Sequence, residues 1–197
     1  MEPSAPQGKT WQIKMAEAVQ EMLRDLDPCG RGGREHYQGT PRRVATMYPE
    51  MFWGLSVDPA SVLNTAFASS GDEMVALYDM EFCSYCAHHL LPFYGKAHFA
   101  YIPNGKIIGL SKIPRLLKIL AARPQVQENL CSEMADVFMK TLDPKGVAVC
   151  MDAVHSCMFA RGVRTGALTR TTALRGLFTQ HPHAKTEFLQ GVKKGKL

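Results

Sequence analysis

The sequence has no apolar run near the roughly 20 residues that a membrane-spanning helix needs. Its first nine residues, Met1-Glu-Pro-Ser-Ala-Pro-Gln-Gly-Lys9, include no apolar signal-peptide core. Both absences point to a soluble chain in the cytoplasm, where thiols stay reduced. There is no repeat at a fixed period and no low-complexity segment. Charged residues make up 21% and hydrophobic ones 46%, which suits neither disorder nor a coiled coil. Strong charge is also missing: 23 basic against 18 acidic residues give +5. That excess is too mild and scattered to require nucleic acid, though it suits an anionic small molecule. What remains is 197 residues, enough to bury a core, with six cysteines and seven histidines. In a reduced compartment the cysteines read as packing residues, metal ligands or nucleophiles before disulfides.

Two halves differ in character. Trp11, Met15, Ala18, Val19, Met22 and Leu26 recur at helical spacing and stop at Asp27-Pro28. Thr40-Pro41 reads as a helix start, with Thr40 as N-cap, before the stripe Val44, Met47, Tyr48, Met51, Phe52 and Leu55. Asp58-Pro59 opens a further short helix. After Gly71, strands are expected at Met74–Phe82, Lys96–Ile102 and Lys106–Leu110, the last two joined as a hairpin through Pro103-Asn104-Gly105. A helix from Ser111, interrupted at Pro124, continues to Asp143-Pro144. Strands follow at Gly146–Ser156, Met158–Val163 and Thr171–Phe178, then a short helix over Pro182–Val192. The expected architecture is an N-terminal helical region, 1–70, and an α+β domain with a mostly antiparallel sheet, 71–197.

Four segments could carry chemistry. Cys83-Ser-Tyr-Cys86-Ala-His88-His89 places four soft or borderline ligands within seven residues. One helical turn would aim Cys86 and His89 at a single ion, whereas Cys83 and Cys86 offer a C-x-x-C pair. A structural zinc knuckle needs a second such pair, and the chain has none. Plain packing at a strand end is the competing reading. In Val154-His155-Ser156-Cys157-Met158-Phe159-Ala160-Arg161, an extended backbone would turn His155, Cys157 and Arg161 to one face. Cys157 could then join Cys86 and His89, giving three protein ligands and an open fourth position, the arrangement of catalytic zinc. Such an ion lowers the pKa of bound water toward about 7. His88 and His155 would be left for proton transfer. Ser111, Lys112 and Arg115 sit where a strand runs into a helix start, a place for an anion or simply a solvated surface. Glu128, beside Gln127 on a helix, reads from spacing alone as solvated.

Taken together, the segments closely resemble the GTP cyclohydrolase I family. The resemblance rests on five blocks in order: Thr40–Leu55, Cys86-Ala-His-His-Leu-Leu-Pro-Phe-Tyr-Gly95, Gly109–Arg115, Arg123–Leu130 and His155–Val163. It implies a T-fold, an antiparallel sheet with helices packed on one face, assembled as a toroidal homodecamer with active sites between subunits. It implies conversion of GTP and water to 7,8-dihydroneopterin triphosphate and formate, the entry to folate or biopterin synthesis. By motif position, Cys86, His89 and Cys157 would ligate zinc, and His88 and His155 would move protons. Glu128, with Gln127, would anchor the guanine edge. Ser111, Lys112, Arg115 and Arg161 would hold the triphosphate, with Arg123 as a further contact. One departure stands out: the family's C-E-H-H carries Glu where this chain has Ala87. It keeps two alternatives open, a related purine-ring hydrolase with another product or substrate, and a non-catalytic zinc-stabilised interaction module.

Overall fold

The computed structural model describes residues 9–194. By backbone contacts these fall into two units, divided between Trp53 and Gly54.

The first unit is helical: α1 (Lys9–Leu26), a single turn α2 (Arg34–Tyr37) and α3 (Thr40–Met51). The Gln12 amide donates to the Ala45 carbonyl at 3.3 Å across α1 and α3. The intervening loop is organised by Asp27, whose carboxylate accepts from Arg31 N (2.7 Å), Gly32 N (3.0 Å) and Tyr37 Oη (2.6 Å). Helix α3 begins one residue earlier than expected. Gly39 holds the cap position, and Thr40 lies inside the helix, its hydroxyl accepting from Arg43 at 3.1 Å.

The second unit opens with 3-10 turns, of which Pro59–Leu63 is capped by Asp58 accepting from Ala60 N. It contains β1 (Ala66–Ala68), β2 (Val75–Cys86), β3 (Pro92–Ile102), β4 (Lys106–Ile108), α4 (Lys112–Ala121), β5 (Pro124–Gln125) and α5 (Gln127–Leu142). The chain continues through β6 (Gly146–His155), the single turns α6 (Ser156–Phe159) and α7 (Leu177–Gln180) on either side of β7 (Thr169–Gly176), and α8 (Pro182–Lys194). The main sheet has the order β5-β2-β3-β6-β7, antiparallel except for the short β5–β2 pair.

Alternation along the strands sorts the two faces. Phe99, Tyr101, Val147, Val149 and Met151 turn to one face, under Leu116, Leu120, Leu130, Met134 and Phe138 of α4 and α5. Burying each such side chain stabilises the fold by about 1.5–3 kcal/mol. The opposite face is also partly covered: Ala100, Ala148 and Cys150 pack against Phe178, Phe188 and Val192, so α8 adds a helix to the side that the sequence left bare. Farther along that face the Asp152 carboxylate takes a two-pronged ion pair from Arg170 (2.7 and 2.6 Å). Buried His98 accepts from Asp79 N at 3.2 Å through Nδ1. Asp79 has a φ of 58° and lies where the β2–β3 register slips between Leu77 and Met80. Gly95 is required where β3 crosses β6, because a Cβ there would run into the Asp152 carbonyl oxygen.

Two further sequence expectations fail. The Pro103–Gly105 turn does not close a hairpin: both edges of β3 are taken by β2 and β6, and β4 pairs with β1 instead (Ala66 opposite Ile108). The segment Met158–Val163 is not a strand. Extended backbone stops at His155, and Ser156–Phe159 coils into one helical turn closed by Ala160 N donating to Ser156 O at 2.8 Å.

Candidate metal and active site

The site forms where β2 and β6 end on either side of β3. After Cys86 the chain folds back at once: the Cys86 carbonyl accepts from His89 N (3.2 Å) and Leu90 N (2.8 Å), and Leu90 takes a left-handed φ of 53°. This is the single turn expected from the Cys86–His89 spacing, and it brings Cys86 Sγ to 3.7 Å from His89 Nδ1. The neighbouring β5 steadies the turn through Ala87 N donating to Gln125 O at 2.8 Å. On the other side, α6 carries Cys157 in. One donor atom each of Cys86, His89 and Cys157 lies within 4.8 Å of the others.

That group fits a metal on two counts. Two sulfurs and an imidazole are the donor set zinc prefers, and bond lengths of about 2.3 and 2.0 Å on a tetrahedral centre separate donors by roughly 3.5–3.8 Å. The Cys86–His89 distance already meets that spacing. Burial, and then the adjacent Cys86 sulfur, push the Cys157 thiol up, and a bound cation is the partner that would offset that push. By contrast, the buried Cys131 thiol is pushed up to about 11 by desolvation and belongs to the core.

The other residues arrange around this group unequally. Arg161 Nη1 lies 3.3 Å from His89 Nε2, and His88 Nδ1 lies 3.8 Å from Cys86 Sγ. His155, at the end of β6, faces Gln127 across 2.8 Å (Nε2 to Oε1). Gln127 is 1% exposed, and its amide nitrogen donates to Met151 O, Thr169 O and Thr171 Oγ1 at 3.0, 3.0 and 3.2 Å. With its hydrogens so committed, Gln127 can only accept from His155, which fixes the imidazole proton on Nε2 and leaves Nδ1 as an acceptor. Burial holds the His155 pKa below its ordinary value, while the Glu128 carboxylate pulls the other way. Glu128 itself is exposed in the first turn of α5.

Ser111, Lys112 and Arg115 lie at the start of α4. Among the described residues no side-chain hydrogen bond or ion pair ties them to the cysteines. The amides of Lys112 and Ile113 bond back to Gly109 O and Leu110 O (2.9 and 3.2 Å). Any anion there would be held by side-chain charge more than by free N–H groups. Arg123 is engaged elsewhere, donating to Gly54 O, Val57 O and Glu133 Oε1 at 2.9, 3.1 and 2.9 Å. It staples the segment after Gly54. Sequence alone assigns Phe93 no role, yet its ring stacks on His155 at 4.7 Å and 4°. The signal was the register, which sets Phe93 directly opposite His155.

The fold and site define a class: an α+β protein whose sheet end gathers a Cys–His–Cys group able to hold a metal beside an oriented histidine. The family model for GTP cyclohydrolase I matches residues 15–193. The chain belongs to the GTP cyclohydrolase I family, a family of enzymes. It is 45% identical over 192 residues to GTP cyclohydrolase 1 of Rhodopirellula baltica, covering 96% of this chain and 82% of that one. It is 45% identical over 185 residues to the protein of the same name from Bacillus subtilis strain 168 (92% and 95% covered). It is 48% identical over 183 residues to that of Mycobacterium tuberculosis strain H37Rv (90% and 89% covered). Among solved structures, the archaeosine synthase QueF-Like in the apo form aligns over 52% of this chain and 93% of its own, with a TM-score of 0.41 and 16% identity.

Proposed function

We propose that this chain opens the imidazole ring of GTP at C8, releases formate and forms 7,8-dihydroneopterin triphosphate, as a GTP cyclohydrolase I, the first step toward folate or tetrahydropterin. The observation that carries the reading is the convergence of Cys86, His89 and Cys157 at one sheet end, in a chain of that family. Zinc held by these three would supply a Lewis acid and a water of lowered pKa, which a weak electrophile such as purine C8 requires.

The remaining steps fall to side chains. His155, neutral and with Nδ1 open, takes up a proton and returns it at the purine nitrogen. Gln127 acts on that step from behind, as a positioning residue, because its own polar atoms are all engaged inside the protein. Exposed His88 serves as the second proton carrier, for the ribose oxygen. The Glu128 carboxylate, an acceptor only, matches the paired N–H donors on the guanine edge. Ser111, Lys112, Arg115 and Arg161 take the triphosphate. All these residues lie in the T-fold catalytic part, 71–197, with 1–70 as the N-terminal helical region.

The same reading includes a toroidal homodecamer with active sites between subunits. In support, Leu90, Leu110, Phe159 and Val163, from the segments that build the site, are 38%, 56%, 63% and 75% exposed. A reducing compartment, the cytoplasm, suits six free cysteines. No helix among the described residues is long and apolar enough to cross a membrane.

The test is to measure zinc in purified protein, add GTP, and follow formate together with pterin fluorescence. Both products are expected. Formate without a pterin would favour the related ring-opening hydrolase that Ala87 keeps in view. Neither product, with zinc bound, would leave the non-catalytic module.

A further inference from the structure

We propose that the N-terminal helical unit carries a second binding site, for a small organic anion with a flat apolar body. A cavity of about 510 Å³, within the usual range for small-molecule sites, opens between α1, α2 and α3. Leu23, Pro41 and the Tyr37 ring give it apolar surface, and Arg24, Arg34 and Arg42 supply its charge. Among the described residues no acidic side chain lines it. Asp27, which follows α1, is engaged by Arg31 N, Gly32 N and Tyr37 Oη, and the last of these bonds also fixes the Tyr37 ring.

The three guanidiniums differ in what already holds them. Arg34 donates from Nη2 to Pro28 O at 2.7 Å and to Asp27 O at 3.4 Å, which anchors it with further N–H groups to offer. Among the described residues Arg24 pairs with Asp25, at 3.5 Å with both side chains about two-thirds or more exposed, a pairing too solvated to compete with a ligand. Arg42 is in no ion pair among the described residues. Planar guanidiniums bind phosphate or carboxylate through two parallel bonds and also stack on flat rings. Charge complementarity therefore selects an anion, and the apolar floor selects one with a ring. The site is independent of the Cys86–His89–Cys157 chemistry, since every lining residue precedes Trp53.

Equilibrium dialysis of the full chain with 1-naphthyl phosphate tests this, beside inorganic phosphate at the same concentration. Binding by the unaltered chain is expected to be at least about tenfold tighter than by the Arg24→Gln/Arg42→Gln variant, each lost charged contact being worth roughly that factor. The Lys112→Ala/Arg115→Ala variant should keep this binding, which separates it from the site proposed for GTP. Gln20→Glu, an exposed change that adds a carboxylate to the lining, should weaken it with the helices intact by circular dichroism. Equal affinity for inorganic phosphate would overturn the flat-ligand assignment. Unchanged binding in both the Arg24→Gln/Arg42→Gln and Gln20→Glu variants would overturn the site. A fall in particle mass by light scattering in the first variant would make the cavity a contact between copies, which also overturns it.

Discussion

Gln127 holds His155 from behind: 2.8 Å separate Gln127 Oε1 from His155 Nε2, and the glutamine's amide hydrogens are committed to Met151, Thr169 and Thr171. The pairing converts a buried, fully satisfied side chain into a control on one imidazole tautomer. Replacing Gln127 with Leu frees the ring to take either tautomer. Turnover should drop on the order of 100-fold, the scale of a misdirected acid–base group, with KM little changed. Steady-state kinetics check this. A loss confined to KM would return Gln127 to the role of a direct purine contact.

Cys157→Ser should remove metal and activity together. The loss should exceed the roughly 10–100-fold that follows from disturbing an outer partner of a ligand. Metal analysis of the purified variant beside its turnover is the measurement, and full zinc with full rate would sink the ligand assignment.

His98 gives the fold a pH dependence away from the site. Burial lowers its pKa below 6.5, against the opposing pull of Asp79 and Asp152 and with the aid of Arg170 and Lys96. Between that depressed value and 6.5 the unfolded chain binds a proton that the folded chain does not. Stability should therefore be level above that window and fall as pH drops through it. His98→Gln, whose side-chain oxygen can still accept from Asp79 N, should flatten that fall. Urea midpoints taken from about pH 8 to about pH 5 would show it.

Ala87 is exposed beside the ligand turn, so Ala87→Glu should leave stability within about 0.5 kcal/mol. A carboxylate there sits between Cys86 and His88 in the chain and should alter the rate or its pH profile. Identical kinetics would mean that the family's glutamate has no bearing on this enzyme.

Much of the architecture was legible in the sequence because periodicity reports burial. The stripes through Trp11–Leu26 and Ile113–Leu120 match α1 and α4 closely. What failed were features set by distant partners. The Pro103–Gly105 turn is real, with Gly105 at a φ of 71°, but β3 had no edge left for β4. The helical turn at Ser156–Phe159 is too short to leave a period. The site was legible as composition, in Cys86, His89 and Cys157, but its organisation was not. That Gln127 is sealed under β6 and β7, and that Phe93 stacks on His155, follow from register across the sheet. No local pattern announces either.

Cys86 ends β2 and Cys157 follows the end of β6, and those two strands never pair; β3 lies between them. Their sulfurs can meet only after three strands from distant parts of the chain have found one register. A metal held by all three donors would therefore have to arrive late, because a half-zippered sheet offers only one cysteine and one histidine of the three.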